Sequence, residues 1–85
     1  MPRLKITRSS GEVAEYDITP KIEWEFELHV NKSFYKTIVD DNKQTDVYWL
    51  AWACIKSSGE VVKPFGGEFL DTLAKVEVLG DIPFE

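Results

Sequence analysis

The sequence has little of the chemistry that enzymes and metal sites require. It contains one cysteine, Cys54, and one histidine, His29. A single cysteine excludes an intrachain disulfide and fits a reducing compartment. Because a zinc site needs several clustered ligands, we interpret His29 as a surface histidine and Cys54 as a small core residue. The sequence therefore predicts no catalytic residue, no metal site and no cofactor, and we expect a protein that is not an enzyme.

Long apolar runs are also missing. The main uncharged stretch, residues 47–55, is less than half of the about 20 residues that a membrane-spanning helix needs. Residues 1–5 alternate in polarity, unlike a signal peptide. The net charge of −5 argues against non-specific binding of nucleic acid, and we interpret the basic residues Arg3, Lys5 and Arg8 as solvated surface. We expect a cytoplasmic protein with neither a membrane nor a nucleic acid as partner.

The apolar stretch 47–55 organises the rest of the chain. Its pattern alone fits either a buried strand or the middle of a buried helix, but its flanks favour a helix over residues 43–58. Thr45 and Asp46 occupy the positions of an N-cap and of a first-turn acid, and Gly59 follows as a C-terminal glycine. The sequence therefore predicts a central helix of about four turns.

Helical spacing places Trp49 apart from the other apolar residues of this helix. Tyr48, Trp52 and Ile55 lie together on the main apolar stripe, whereas Trp49 falls in a polar sector. Two interpretations stay open. Either the N-terminal hairpin covers the ring, as is usual for large aromatics, or Trp49 is a partly exposed anchor for a client or a neighbouring subunit. We expect Trp52 and Trp24 to lie in the core.

The N-terminal half predicts a β-hairpin followed by a helix. Residues 1–18 contain two alternating segments around Gly11, which is the pattern of a hairpin. Thr19 and Pro20 suit the N-cap and first position of a helix, and apolar residues at spacing four extend that helix over residues 20–39. Because residues 22–30 also alternate strictly, a strand there is the open alternative.

The C-terminal part predicts a short third helix over residues 68–75. Residues 76–78 alternate and are expected to pair with the hairpin, and residues 80–85 are expected to form a tail. Together the patterns predict one α+β domain over residues 1–85. It consists of an N-terminal hairpin (1–18), three helices (20–75), and a short extended segment with a tail (76–85).

Several of these segments resemble a known family. The matching parts are Ile18-Thr19-Pro20, residues 24–27, residues 44–52 with their Tyr-Trp-Leu-Ala-Trp motif, and three short pieces at residues 64–65, 68–73 and 76–78. They resemble tail assembly chaperones of long-tailed, siphovirus-type bacteriophages. The resemblance implies a non-enzymatic protein of the infected host cytoplasm that binds the tape measure protein, helps recruit tail tube subunits and is lost from the mature virion. It also implies a longer form made by translational frameshifting near the end of the reading frame.

Aromatic residues supply the candidate binding surface. Three tryptophans, three tyrosines and five phenylalanines fit either a compact aromatic core or a protein-binding surface, because Trp and Tyr dominate binding hot spots. The candidate partner-binding residues are Trp49, Tyr48, Lys56 and Trp24, and self-association is a further candidate interaction. The alternative functions are a structural tail or head–tail joining protein and a small antitoxin-like regulatory binding protein.

Overall fold

The N-terminal hairpin forms as the alternating sequence predicts. The computed structural model describes residues 2–80. Strand β1 spans Arg3–Arg8 and strand β2 spans Val13–Asp17, and they pair antiparallel. The turn between them includes Gly11 at φ +97°, a left-handed conformation that glycine adopts without steric cost.

A third strand completes the sheet on the other side of β1. Strand β3 spans Leu73–Leu79 and pairs antiparallel with β1, so the strand order is β2-β1-β3. Leu4 lies opposite Val78, and Ile6 lies opposite Val76. This pairing confirms the predicted contact of the C-terminal extended segment with the hairpin and, with the helices, the α+β class.

The predicted helix over residues 68–75 is wrong in its second half. Helix α3 spans only Gly67–Leu70, and the chain is extended from Leu73 onward. The Thr72 hydroxyl donates to the Phe69 carbonyl at 2.6 Å, a local bond that competes with helix continuation. The open edge of β1 then offers backbone partners to a segment that contains Val76 and Val78, and β-branched residues of this kind favour a strand.

Helix α1 spans Pro20–Val30, so the strand alternative for residues 22–30 is wrong. Thr19 is the N-cap as predicted, and its side-chain oxygen accepts the Ile22 N–H at 3.3 Å. The helix ends at Val30 rather than at residue 39, because Asn31 adopts a left-handed conformation at φ +59°. Asparagine tolerates this conformation better than most residues and frequently terminates helices.

The chain reverses after α1 and returns to the core through Phe34. The Glu27 carboxylate accepts the Phe34 N–H at 2.8 Å, and the Phe34 ring meets Phe26 edge-on with centroids 5.4 Å apart. A π-helical segment, Lys36–Asp41, follows. Residues 36–39 therefore lie in a separate helical segment and not in the extension of α1 that the spacing predicted.

Helix α2 spans Gln44–Ser57 and confirms the predicted central helix. Asp46 lies in the first turn as predicted, but Lys43, not Thr45, is the N-cap, and its side chain makes no capping hydrogen bond. The buried face is turned by about a quarter of a helical turn from the predicted stripe, so that Trp52 and Tyr48 lie at its margin. The buried residues of α2 are Val47, Leu50, Ala51, Ala53, Cys54 and Ile55.

The helices cover one face of the sheet, and the other face is solvated and charged. Leu4 and Ile6 point inward and are fully buried. On the outer face Arg3 pairs with Glu15 at 2.7 Å and with Asp17 at 3.5 Å. The predicted tail lies, apart from Gly80, outside the described residues. Within residues 2–80, no helix has the length and apolar character needed to cross a membrane.

Candidate functional site

An open groove of about 460 Å³ lies between α1 and α2. Lys21 from the start of α1 lines it together with Ser57 from the end of α2, as expected when two helices pack antiparallel. Apolar and polar side chains share its lining in equal number. The lining residues are Lys21, Glu25 and Leu28 of α1 and Trp49, Trp52, Ala53, Lys56 and Ser57 of α2.

Two large apolar side chains of α1 are exposed beside this α1–α2 groove. Trp24 is 60% exposed and Leu28 is 65% exposed, whereas Phe26 between them is fully buried. Residues four apart share one face of a helix, so Trp24 lies one turn before Leu28 at the margin of the groove. The expectation that Trp24 lies in the core is therefore wrong, because the inward face of α1 belongs to Ile22 and Phe26.

Trp49 is partly buried, and α1 supplies its aromatic neighbours. The His29 imidazole stacks on the indole with centroids 4.3 Å apart and an interplanar angle of 6°. The Phe26 ring lies 6.0 Å away on the core side, and Trp52 lies 5.8 Å away along α2. The aromatic rings around Trp49 come from α1 and α2. One part of the indole lines the groove.

Trp52 is also partly buried and not part of the fully buried core. Its indole N–H donates to the Lys63 carbonyl at 2.9 Å. The Lys56 ammonium lies 4.8 Å from the ring centroid, a cation–π geometry, and Phe65 packs edge-on at 6.3 Å. These contacts fix the orientation of the ring that lines the groove.

The structure therefore brings together some of the predicted binding residues and separates one of them. Trp49 and Lys56 line the groove, and Trp24 stands at its margin. Tyr48 faces a different and smaller pocket, which Leu70 and Leu73 also line. Sequence reasoning missed Leu28, which follows the candidate binding residue Trp24 at a spacing of four.

The groove carries no reactive pair. Cys54 is buried in the core, and burial raises the pKa of its thiol from 9.0 to about 12, so the thiol is protonated at neutral pH. His29 is exposed and stacks on Trp49, so the two groups are not assembled as a nucleophile and a base. In the part of the chain that the structure describes, no group of three or more His, Cys, Asp and Glu residues is placed to hold a metal ion.

Two of the three basic residues near the N-terminus, Arg3 and Arg8, are paired with acids. Arg3 bonds Glu15 and Asp17 of β2. Arg8 pairs with Glu60 at 3.1 Å. The surface that is rich in unpartnered apolar area is instead the α1–α2 groove with Trp24 at its margin, a chemistry suited to binding another protein.

No family model matches the chain, and comparisons with curated proteins and with solved structures find no match either.

Proposed function

We propose that this protein is a non-enzymatic assembly chaperone of the phage-tail type, which binds a segment of the tape measure protein in the α1–α2 groove. The observation that carries the proposal is the exposure of Trp24 and Leu28 next to a groove walled by Trp49 and Trp52. Adjacent exposed apolar side chains of this size are typical of interaction sites. The sequence resemblance supplies the client class and the host cytoplasm as the place of action.

The construction of the groove supports binding of an apolar client segment. Trp52 is held by a hydrogen bond to the Lys63 carbonyl, and Trp49 is held between His29 and Phe26. A wall that is ordered before binding loses little side-chain entropy when a partner docks. A groove between two helices, with Leu28, Trp49 and Trp52 in its lining, fits an amphipathic helix that inserts its apolar row.

The client complex provides the direct test. Co-expression with the candidate tape measure protein is expected to keep the client soluble and to co-purify it. Trp24→Ala and Leu28→Ala are each expected to weaken client binding at least tenfold, since hot-spot truncations cost about 2 kcal/mol or more. Because both side chains are exposed, neither change should lower the melting temperature appreciably.

Exposed residues elsewhere provide matched controls. Tyr35 is an aromatic residue with 36% exposure and Val61 is an aliphatic residue with 96% exposure, and neither lines the groove. Tyr35→Ala and Val61→Ala should leave client affinity unchanged. The proposal is abandoned if the client stays insoluble on co-expression, or if the control variants weaken binding as much as Trp24→Ala and Leu28→Ala.

A further inference from the structure

Within residues 2–80, no strand pairs with the outer edge of β3. Among the described strands, β3 pairs only with β1, so one row of its backbone N–H and C=O groups faces away from the sheet. Such an edge is a template for a further strand. A groove of about 250 Å³ lies against Val76 and Val78 of this strand, so these inward-facing side chains are not fully covered. The residues that line the groove are Ile38, Val39, Asn42, Gln44, Val47, Val76 and Val78.

At the opposite edge of the sheet, two registers of β2 with a second copy of itself bring acids together. The outward side chains of β2 include Glu15 and Asp17, on the face that carries Arg3. An antiparallel partner centred on Glu15 would place Glu15 against the partner's Glu15. Centred on Tyr16, it would place Glu15 against the partner's Asp17. Like charges directly opposite each other destabilise a strand pair.

At the β3 edge, one register of two antiparallel copies brings opposite charges together. The outer-face charges of β3 are Lys75 and Glu77, which lie 3.4 Å apart along the strand. When two β3 strands run antiparallel about Val76, Lys75 lies opposite the partner's Glu77, and Glu77 lies opposite the partner's Lys75. Opposite charges at facing positions stabilise the pair, whereas registers centred on Lys75 or on Glu77 set like charges against each other. We propose that this edge is a homodimer interface, in which two copies pair through β3 around a two-fold axis at Val76.

The proposed register extends a charge pattern that already crosses the sheet. Lys5 of β1 lies between Glu15 of β2 and Glu77 of β3. In the dimer the partner's Lys75 follows Glu77, so the signs alternate across four neighbouring strands. On the inner face Val76 meets the partner's Val76 beside the groove that Val76 and Val78 line. An isologous contact of this kind is the usual form of a two-fold dimer.

The geometry also limits the strength of the dimer. A β-bulge interrupts the register of β3, since Arg8 lies opposite Leu73 while Thr7 lies opposite Lys75. In the register about Val76, residues 78 and 79 lie opposite the partner's residues 74 and 73, so regular pairing is limited to residues 75–77, because a bulge bends the strand and disrupts the ladder. A contact this short belongs to the class below about 1,200 Å² of buried area, which is typical of weak complexes. We expect a dimer that dissociates on dilution and shares no lining residue with the α1–α2 groove.

Charge swaps at the two facing positions test the register. Sedimentation equilibrium of the wild-type chain, from micromolar to millimolar concentration, should show a monomer–dimer equilibrium. Lys75→Glu should weaken association at least tenfold, and so should Glu77→Lys, because each places like charges opposite each other twice. An equimolar mixture of the two variants should associate as well as the wild type, because only the heterodimer restores both opposite-charge pairs. Far-UV circular dichroism of each variant checks that the fold is retained.

A cross-link provides a second measurement that does not depend on the charges. Facing residues in an antiparallel pair have Cα atoms about 4.5–5.5 Å apart, within the range that a disulfide spans. In a Cys54→Ala background, Val76→Cys should oxidise to a linked dimer. Val78→Cys should not, because the two copies of position 78 lie about 13 Å apart along the strands. A chain that stays monomeric at every concentration, a dimer indifferent to both charge swaps, or equal cross-linking at positions 76 and 78 overturns the proposal.

Discussion

Replacing Trp49 by alanine is expected to lower the free energy of unfolding by about 2–3 kcal/mol. Truncation of a fully buried large aromatic costs about 3–5 kcal/mol. Trp49 is only partly buried, so it loses less transfer free energy, but the change also removes its stacking with His29 and its contact with Phe26. Aromatic pairs contribute about 0.5–1.5 kcal/mol each beyond area burial, and such terms do not add fully.

Two neighbours on α1 calibrate this value. Phe26 is fully buried and Trp24 is 60% exposed. Phe26→Ala should therefore cost about 3–5 kcal/mol, and Trp24→Ala should stay within about 0.5 kcal/mol of the wild type. An 85-residue domain has a total stability of about 4–13 kcal/mol, at about 0.05–0.15 kcal/mol per residue. The Trp49→Ala protein should thus remain folded at room temperature, which allows its client affinity to be measured separately.

Urea denaturation followed by far-UV circular dichroism measures the three variants on one scale. We expect Trp24→Ala to be the least destabilised, Trp49→Ala to be intermediate and Phe26→Ala to be the most destabilised. The free energy of unfolding of all three should fall with urea concentration at similar slopes. A double-mutant cycle with His29→Ala should give a coupling energy of about 0.5–1.5 kcal/mol for the stacked pair. The reasoning is refuted if Trp49→Ala is as stable as Trp24→Ala, or if the cycle shows no coupling between His29 and Trp49.

Three further predictions concern single residues. The Cys54 thiol, whose pKa burial raises to about 12, should resist alkylation at pH 8 until urea unfolds the chain. Because the same thiol titrates near 9.0 when it is not buried, its contribution to stability should be constant below about pH 9 and decline from there towards pH 12. Comparison of wild-type and Cys54→Ala unfolding curves measures this difference, and parallel curves would contradict it. Thr19→Ala should lower the free energy of unfolding by about 1 kcal/mol, because it removes the acceptor of the Ile22 N–H. Thr19→Ser keeps a hydroxyl acceptor and should retain most of this stability in thermal melts. Asn31→Gly should be neutral or stabilising, because glycine adopts the left-handed φ of +59° without steric cost. Asn31→Val should destabilise the protein by about 1 kcal/mol or more, the cost of a β-branched residue in that conformation. Equal melting temperatures of the two variants would argue against a left-handed Asn31.

The sequence alone was sufficient where a short segment contains all of its determinants. Strict alternation around Gly11 predicts the hairpin, because the period of two assigns each side chain to a face of the sheet. Thr19 and Pro20 predict the start of α1, since the cap bond joins residues three apart. The apolar stretch with Gly59 behind it predicts α2, and Gly59 indeed takes φ +96°.

Tertiary contacts decided the rest. Spacing four is equally regular through residues 22, 26, 30, 34 and 38, yet the left-handed Asn31 and the bond from the Phe34 N–H to Glu27 fold Phe34 back onto Phe26. Residues 73–75 resemble the end of a helix in isolation, but the open edge of β1 supplies hydrogen-bond partners that only a strand can use.

The candidate site, too, was predicted only in part from the sequence. Composition by itself indicates an excess of aromatic side chains, and helical spacing sets Trp49 apart from the other apolar residues of α2. Which tryptophans face the solvent depends on the direction from which α1 approaches α2. That packing buries Phe26, leaves Trp24 and Leu28 outside, and turns Tyr48 away from the groove. A helix with apolar residues on more than one side can bury only the side that meets its neighbour, and the position of that neighbour is a property of the assembled fold.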